Sequence, residues 1–92
     1  MNKYYRQPEA EIDLHQMTRE EARREVYAFL EEAQAKGYKK IRIITGKGTH
    51  SENGVGVLNS CVKGILDGGG YEYQIAKYNE GGEGALDVIL EK

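Results

Sequence analysis

A segment that reads as a helix, flanked on both sides by segments that read as strands, constrains this chain more than any other feature. Thr18 stands where a helix N-cap belongs, and Glu21, three residues on, completes a capping box. Apolar residues follow at Ala22, Val26, Phe29, Leu30 and Ala33, the spacing of one helix face, and Gly37 supplies the stop. Before this helix, Glu11-Ile12-Asp13-Leu14-His15 alternates polar and apolar residues, as a half-buried strand does. After it, Lys40-Ile41-Arg42-Ile43-Ile44-Thr45 is rich in β-branched residues. A strand, a helix and a strand in that order normally join parallel strands through a right-handed crossover.

The pattern then repeats in part. Gly46-Lys47-Gly48 opens a polar loop through Asn53, and Val55, Leu58, Cys61, Val62, Ile65 and Leu66 mark one side of a second helix. Gly68-Gly69-Gly70 ends that helix. Tyr71 to Tyr78 reads as a third strand and Ala85 to Leu90 as a fourth, with a glycine-rich connection from Asn79 to Gly84 short enough for a hairpin. The order predicts a two-layer α/β sandwich of βαβαββ type, with a mixed four-stranded sheet and two helices on one face. The alternation in the first strand predicts that the other face is solvated. Residues 1–10 carry no pattern and read as a tail, which leaves 11–92 as one domain; 92 residues are too few for two cores.

Composition narrows the function classes. No apolar run is long enough to cross a membrane, and the polar stretch from Met1 to Glu11 has no signal-peptide core. The single cysteine, Cys61, has no partner for an internal disulfide and falls in an apolar helical pattern, so it reads as a small core residue. A cytoplasmic protein is expected. The net charge of −2 offers no global attraction to nucleic acid, but the distribution is uneven. Lys36, Lys39, Lys40, Arg42 and Lys47 lie in a stretch without an acidic residue, which predicts either a local basic patch or a solvated strand edge.

The unusual residues fall on one edge of the predicted sheet. Asp13 and His15, two apart on a strand, share a face. His15 and the Thr45-Gly46-Lys47-Gly48 turn both lie at carboxyl ends of strands, the edge where open α/β sheets bind ligands. Two helix N-termini are expected there, offering free N–H groups to an anion. Lys47 between two glycines is a cation placed for a phosphate. The turn is not a Walker A loop, because Ile41 stands where the first glycine belongs and Gly48 where Ser or Thr belongs. Ser51 in the third glycine's place excludes the dinucleotide fingerprint.

Asp13, His15 and His50 are the only cluster resembling acid–base machinery: a carboxylate can orient a histidine that moves a proton from water or a ribose hydroxyl. The same three could hold a divalent metal, though two histidines and one carboxylate from separate segments is a loose signal, and no cofactor is firmly implied. The bland alternative is that Asp13 caps a backbone amide and His15 merely closes a strand. Of the seven tyrosines, Tyr71, Tyr73 and Tyr78 fall on the third strand and could stack bases, but Tyr71 and Tyr73 share a face with Ile75, which favours core packing.

Three segments carry a family resemblance. Ile12-Asp13-Leu14-His15 resembles the Leu-Asp-Leu-His signature of the Smr (small MutS-related) domain family. Ile44-Thr45-Gly46-Lys47-Gly48 with His50-Ser51 resembles its central Gly-Lys-Gly segment, and Gly81-Gly82-Glu83-Gly84-Ala85 its Gly-Gly-x-Gly-Ala element. The resemblance, to a stand-alone bacterial-type member, spans residues 11–90. It implies a sandwich similar to the C-terminal domain of bacterial translation initiation factor 3. It further implies an endonuclease that cleaves or nicks RNA or DNA or, as the alternative, a non-catalytic module that binds nucleic acid or ribosomes. Catalysis would fall to Asp13 and His15. Nucleic-acid contact would fall to the loop of Thr45, Gly46, Lys47, Gly48, His50 and Ser51, with Lys40 and Arg42 extending it along the backbone. One departure is plain: the family often has glycine directly after the histidine, where this chain has Gln16.

Overall fold

The computed structural model describes residues 7–46, 57–76 and 84–90. All six expected elements form: β1 (Ala10–Asp13), α1 (Arg19–Ala35), β2 (Lys40–Ile44), α2 (Val57–Gly68), β3 (Glu72–Ile75) and β4 (Ala85–Ile89). The expected tail is shorter than residues 1–10, since Ala10 already belongs to β1 and the Glu9 amide donates to the Lys40 carbonyl at 2.8 Å. The loop from Lys47 to Asn53, Val55, Tyr78 and the glycines Gly81 and Gly82 lie outside the described residues.

The helix boundaries follow local chemistry. Thr18 adopts an extended backbone and its Oγ1 accepts the Glu21 amide at 3.1 Å, while Glu21 Oε1 accepts the Thr18 amide at 2.9 Å. That is the capping box the sequence predicts. Both helices close with the same pair of bonds. Gly37 N–H donates to the Gln34 carbonyl and Tyr38 N–H to that of Ala33; Gly70 N–H donates to Asp67 and Tyr71 N–H to Leu66. This Schellman arrangement turns the chain so that a tyrosine, Tyr38 or Tyr71, lands against the core.

The sheet order is β1-β2-β4-β3. β1 and β2 are parallel, as the crossover through α1 requires, and β4 runs antiparallel to both its neighbours. β3 therefore runs in the same sense as β2 but is separated from it by β4. The pattern of burial explains the insertion. Every residue of β4 is buried, so it can occupy a position with neighbours on both sides, whereas β3, with Glu72 and Ile75 exposed, suits an edge.

Ala22, Val26, Leu30 and Ala33 of α1 and Val62 and Leu66 of α2 form a single core with Ile41, Ile43, Leu86 and Val88 of the sheet. At about 1.5–3 kcal/mol for each fully buried aliphatic side chain, this layer supplies the main stabilisation. Tyr71 and Tyr73 pack against it, as their shared face predicts, but Ile75 on the same strand face is exposed. Cys61 is only half-buried, so it is not the interior residue that the helical pattern suggested.

The second sheet face corrects a sequence-based expectation. At its rim Glu11, Asp13 and Glu72 are exposed, as a solvated face requires. At its centre Lys40, Arg42 and Asp87 are buried, with 2%, 8% and 1% of their surface exposed. The register sets Arg42 directly opposite Asp87. Arg42 Nε donates to Asp87 Oδ1 at 2.7 Å and Nη2 to Oδ2 at 3.2 Å, a two-pronged pairing, and Lys40 Nζ lies 3.5 Å from Oδ2.

Candidate active site at the carboxyl edge of the sheet

β1 ends at Asp13, and the chain turns at once: the Leu14 amide donates to the Ile44 carbonyl of β2 at 2.7 Å and the Met17 amide to Leu14 at 3.0 Å. Leu14 is fully buried and anchors the turn in the core. His15 is thereby held at the surface beside Asp13. Asp13 Oδ1 accepts both the His15 backbone amide at 3.0 Å and His15 Nδ1 at 2.5 Å. These bonds from His15, the ring bond first and the backbone amide second, hold the Asp13 carboxyl below its ordinary pKa. In the tautomer that donates from Nδ1 to the carboxylate, the lone pair lies on Nε2, on the far side of the ring. Both side chains stay accessible, at 54% exposed for His15 and 50% for Asp13.

Gln16, next in the chain, has a positive φ of 73°. That left-handed conformation is the one glycine adopts without a steric cost. A glycine at this position would meet that backbone requirement without strain, and this chain meets it with a glutamine.

The Thr45-Gly46 turn approaches from β2. Gly46 has φ 77°, and a Cβ built on it would stand 3.3 Å from His15 Cβ. The first two family-like segments are therefore in contact through a residue that needs to lack a side chain. The third joins them: the Gly84 carbonyl accepts the Thr45 amide at 2.8 Å and the Gly46 amide at 3.0 Å. Thr45 Oγ1 bonds the Gly46 and Gly84 carbonyls at 3.1 and 3.4 Å and accepts from Asn59 Nδ2 of α2 at 3.3 Å.

Several expected contacts are corrected by this geometry. Thr45 is buried and fastens the turn to β4 and α2, so it is not a surface ligand for nucleic acid. The Thr45 and Gly46 amides are both committed to Gly84 and do not face an anion. The α1 N-terminus is closed by its own capping box, which takes the Thr18 and Glu21 amides, and the carboxylates of Glu20 and Glu21 in the first turn oppose a phosphate there. Lys40 and Arg42 are buried against Asp87, which removes them from any backbone-binding surface. Lys47, Gly48, His50 and Ser51 lie outside the described residues. Among the described residues no three His, Cys, Asp or Glu side chains converge as a metal site would require, and no helix is long and apolar enough to cross a membrane.

Sequence reasoning missed Asp87 and Asn59. Asp87 had a signal, a carboxylate between Leu86 and Val88 in an otherwise apolar strand. Asn59 had none, since only the tertiary fold brings it to Thr45.

The Asp-x-His turn, the Gly46 turn packed on it and the βαβαββ frame that joins them define a small α/β domain with a hydrogen-bonded aspartate–histidine pair on its sheet edge. The Smr domain family model matches residues 12–91, and the chain belongs to that family. The chain is 35% identical over 92 residues to the endonuclease MutS2 of Clostridium botulinum (strain ATCC 19397 / Type A), a match that covers 98% of this chain and 11% of MutS2. The Smr domain of Thermus thermophilus MutS2 superimposes with a TM-score of 0.79 at 34% identity, covering 90% of this chain and 99% of that structure. YdaL, a stand-alone small MutS-related protein from Escherichia coli, superimposes with a TM-score of 0.79 at 31% identity, covering 89% of this chain and 64% of YdaL.

Proposed function

We propose that this domain is an endonuclease that cleaves or nicks nucleic acid at the His15 edge, with RNA ahead of DNA as substrate. The observation that carries the reading is the Asp13–His15 bond, which orients an accessible imidazole whose second nitrogen bonds no described residue. In this reaction His15 Nε2 takes the proton of an attacking hydroxyl, from water or from a neighbouring ribose 2′-OH. The oxygen bonds to phosphorus, the phosphorus–oxygen bond to the leaving nucleotide breaks, and the leaving oxygen takes up the proton that His15 then gives back. Asp13 stabilises the imidazolium formed midway. Lys47, directly after Gly46, is the cation proposed to hold the phosphate, and His50 and Ser51 the further contacts. Kinship with MutS2, which is named an endonuclease, supports the same reading.

The exposure of the pair favours a second reading. A catalytic dyad usually works where water is excluded, and Asp13 and His15 are both about half exposed. A module that only binds nucleic acid or ribosomes with the same edge would show salt-sensitive affinity, weakened by Lys47→Ala, and no cleavage product.

The deciding experiment incubates end-labelled RNA and DNA with the protein, with and without EDTA, beside His15→Ala. Product that disappears in His15→Ala while binding persists supports the endonuclease, and a cyclic phosphate end identifies attack by the ribose hydroxyl. Binding without product under every condition selects the second reading.

A further inference from the structure

A groove of about 540 Å³ runs between the outer sides of α1 and α2, lined by Arg19, Arg23, Tyr27, Ser60, Gly64 and Ile65. A second hollow shares Tyr27, Gly64 and Ile65 with it and continues to Glu31, so the two form one channel along the helices. The floor is open because Gly64 lacks a side chain and a Cβ there would meet nothing within 4 Å.

Position and charge give this channel a direction. β1 and β2 are parallel, so α1 and α2 both begin at the carboxyl edge that holds His15, and Arg19 and Val57 at the groove mouth are their first residues. Arg19, Arg23 and Tyr27 follow at i, i+4 and i+8, a single stripe on α1. Neither arginine forms an ion pair with a described residue, and Arg23 Cζ sits 5.9 Å from the centre of the Tyr27 ring. Tyr27 is 51% exposed, a large aromatic surface without a core role. The next position of the stripe is Glu31, so positive charge is confined to the end nearest His15.

We propose that the α1/α2 groove is a second contact track for single-stranded nucleic acid, in which Arg19 and Arg23 meet backbone phosphates and Tyr27 stacks one base. The inference rests on the nucleic-acid reading of the His15 edge and extends it by naming a single strand as the form bound. Two cations leading from the edge to an exposed ring match a polyanion whose bases present flat faces. The rise from Arg19 to Tyr27 is about 12 Å, a distance that a few nucleotides span. An acidic protein segment would also answer the arginines but gives Tyr27 nothing to stack.

The test measures binding of fluorescein-labelled tetramers and dodecamers of oligouridylate and oligothymidylate as a function of salt. The intact protein is expected to hold dodecamers more tightly than tetramers. In Arg23→Gln the dependence of log affinity on log salt for the dodecamer falls by about 0.7, and Tyr27→Ala weakens the dodecamer about fivefold or more. Gly64→Glu, at a position with room for a side chain, removes the gain from length. Groove variants that keep the full gain from length overturn this inference while leaving the edge reading intact; an intact protein that binds neither strand at low salt overturns both. Unaltered strand binding beside lost binding of a polyglutamate peptide in Arg23→Gln assigns the groove to an acidic partner and also overturns the proposal.

Discussion

Gly46 packs directly on His15, so closely that a methyl group on the glycine would stand 3.3 Å from His15 Cβ. Gly46→Ala therefore places a side chain where φ is 77° and where the neighbour is the proposed base. The left-handed backbone alone costs about 1 kcal/mol, measurable by urea denaturation. Displacement of the imidazole is expected to lower cleavage about tenfold to a hundredfold at temperatures where the variant is folded. A loss of activity no larger than the loss of folded protein would show that the contact does not set the position of His15.

Asp13 is expected to titrate below the usual carboxylate range, because its charged form accepts the His15 ring and backbone N–H groups. Folding lowers this pKa, so the contribution to stability is present above the unfolded value and is lost as pH falls through the folded one. The pair is exposed and the stability effect is correspondingly small; the titration itself is the better readout. Carbon-detected NMR of the Asp13 carboxyl should give a depressed midpoint that moves upward in His15→Ala. An unchanged midpoint in the variant would mean that the ring bond does not persist in solution.

Gln16→Gly should stabilise the fold. It removes a left-handed strain of about 1–2 kcal/mol and adds a backbone entropy cost of about 0.5–1 kcal/mol, for a net gain of up to about 1.5 kcal/mol. A rise in Tm without a change in the far-ultraviolet spectrum checks it. A fall in Tm would show that the glutamine side chain makes a compensating contact.

Asp87→Ala should be among the most damaging substitutions in the sheet. It removes the carboxylate that faces Arg42 and Lys40 in a buried position, and breaking such a pairing from one side costs about 3–5 kcal/mol. Asp87→Asn, which keeps one acceptor, should be milder. Both are read from the midpoint of chemical denaturation.

Most of the frame was legible in the chain before folding. Thr18 with Glu21, the apolar stripe from Ala22 to Ala33 and the glycine stops act through neighbours no more than five residues away, which is why the helices and their ends could be read directly. The candidate pair was legible for the same reason, since Asp13 and His15 are two residues apart on one strand. The basic patch was misread because charge in a sequence carries no information about which face a strand will lose to its neighbours. Arg42 looked available until the register of β4 set a carboxylate opposite it, 45 residues later in the chain.

By itself the sequence determined the kinds and order of the elements, the capping of α1 and the pairing of Asp13 with His15, all of them products of short-range spacing. Only the tertiary structure decided that β4 lies between β2 and β3, that Lys40, Arg42 and Thr45 are interior, that the Thr45 and Gly46 amides are spent on Gly84, and that Gly46 touches His15. Each of these depends on which distant segments bury one another's surface and satisfy one another's polar groups, and no local pattern encodes that choice.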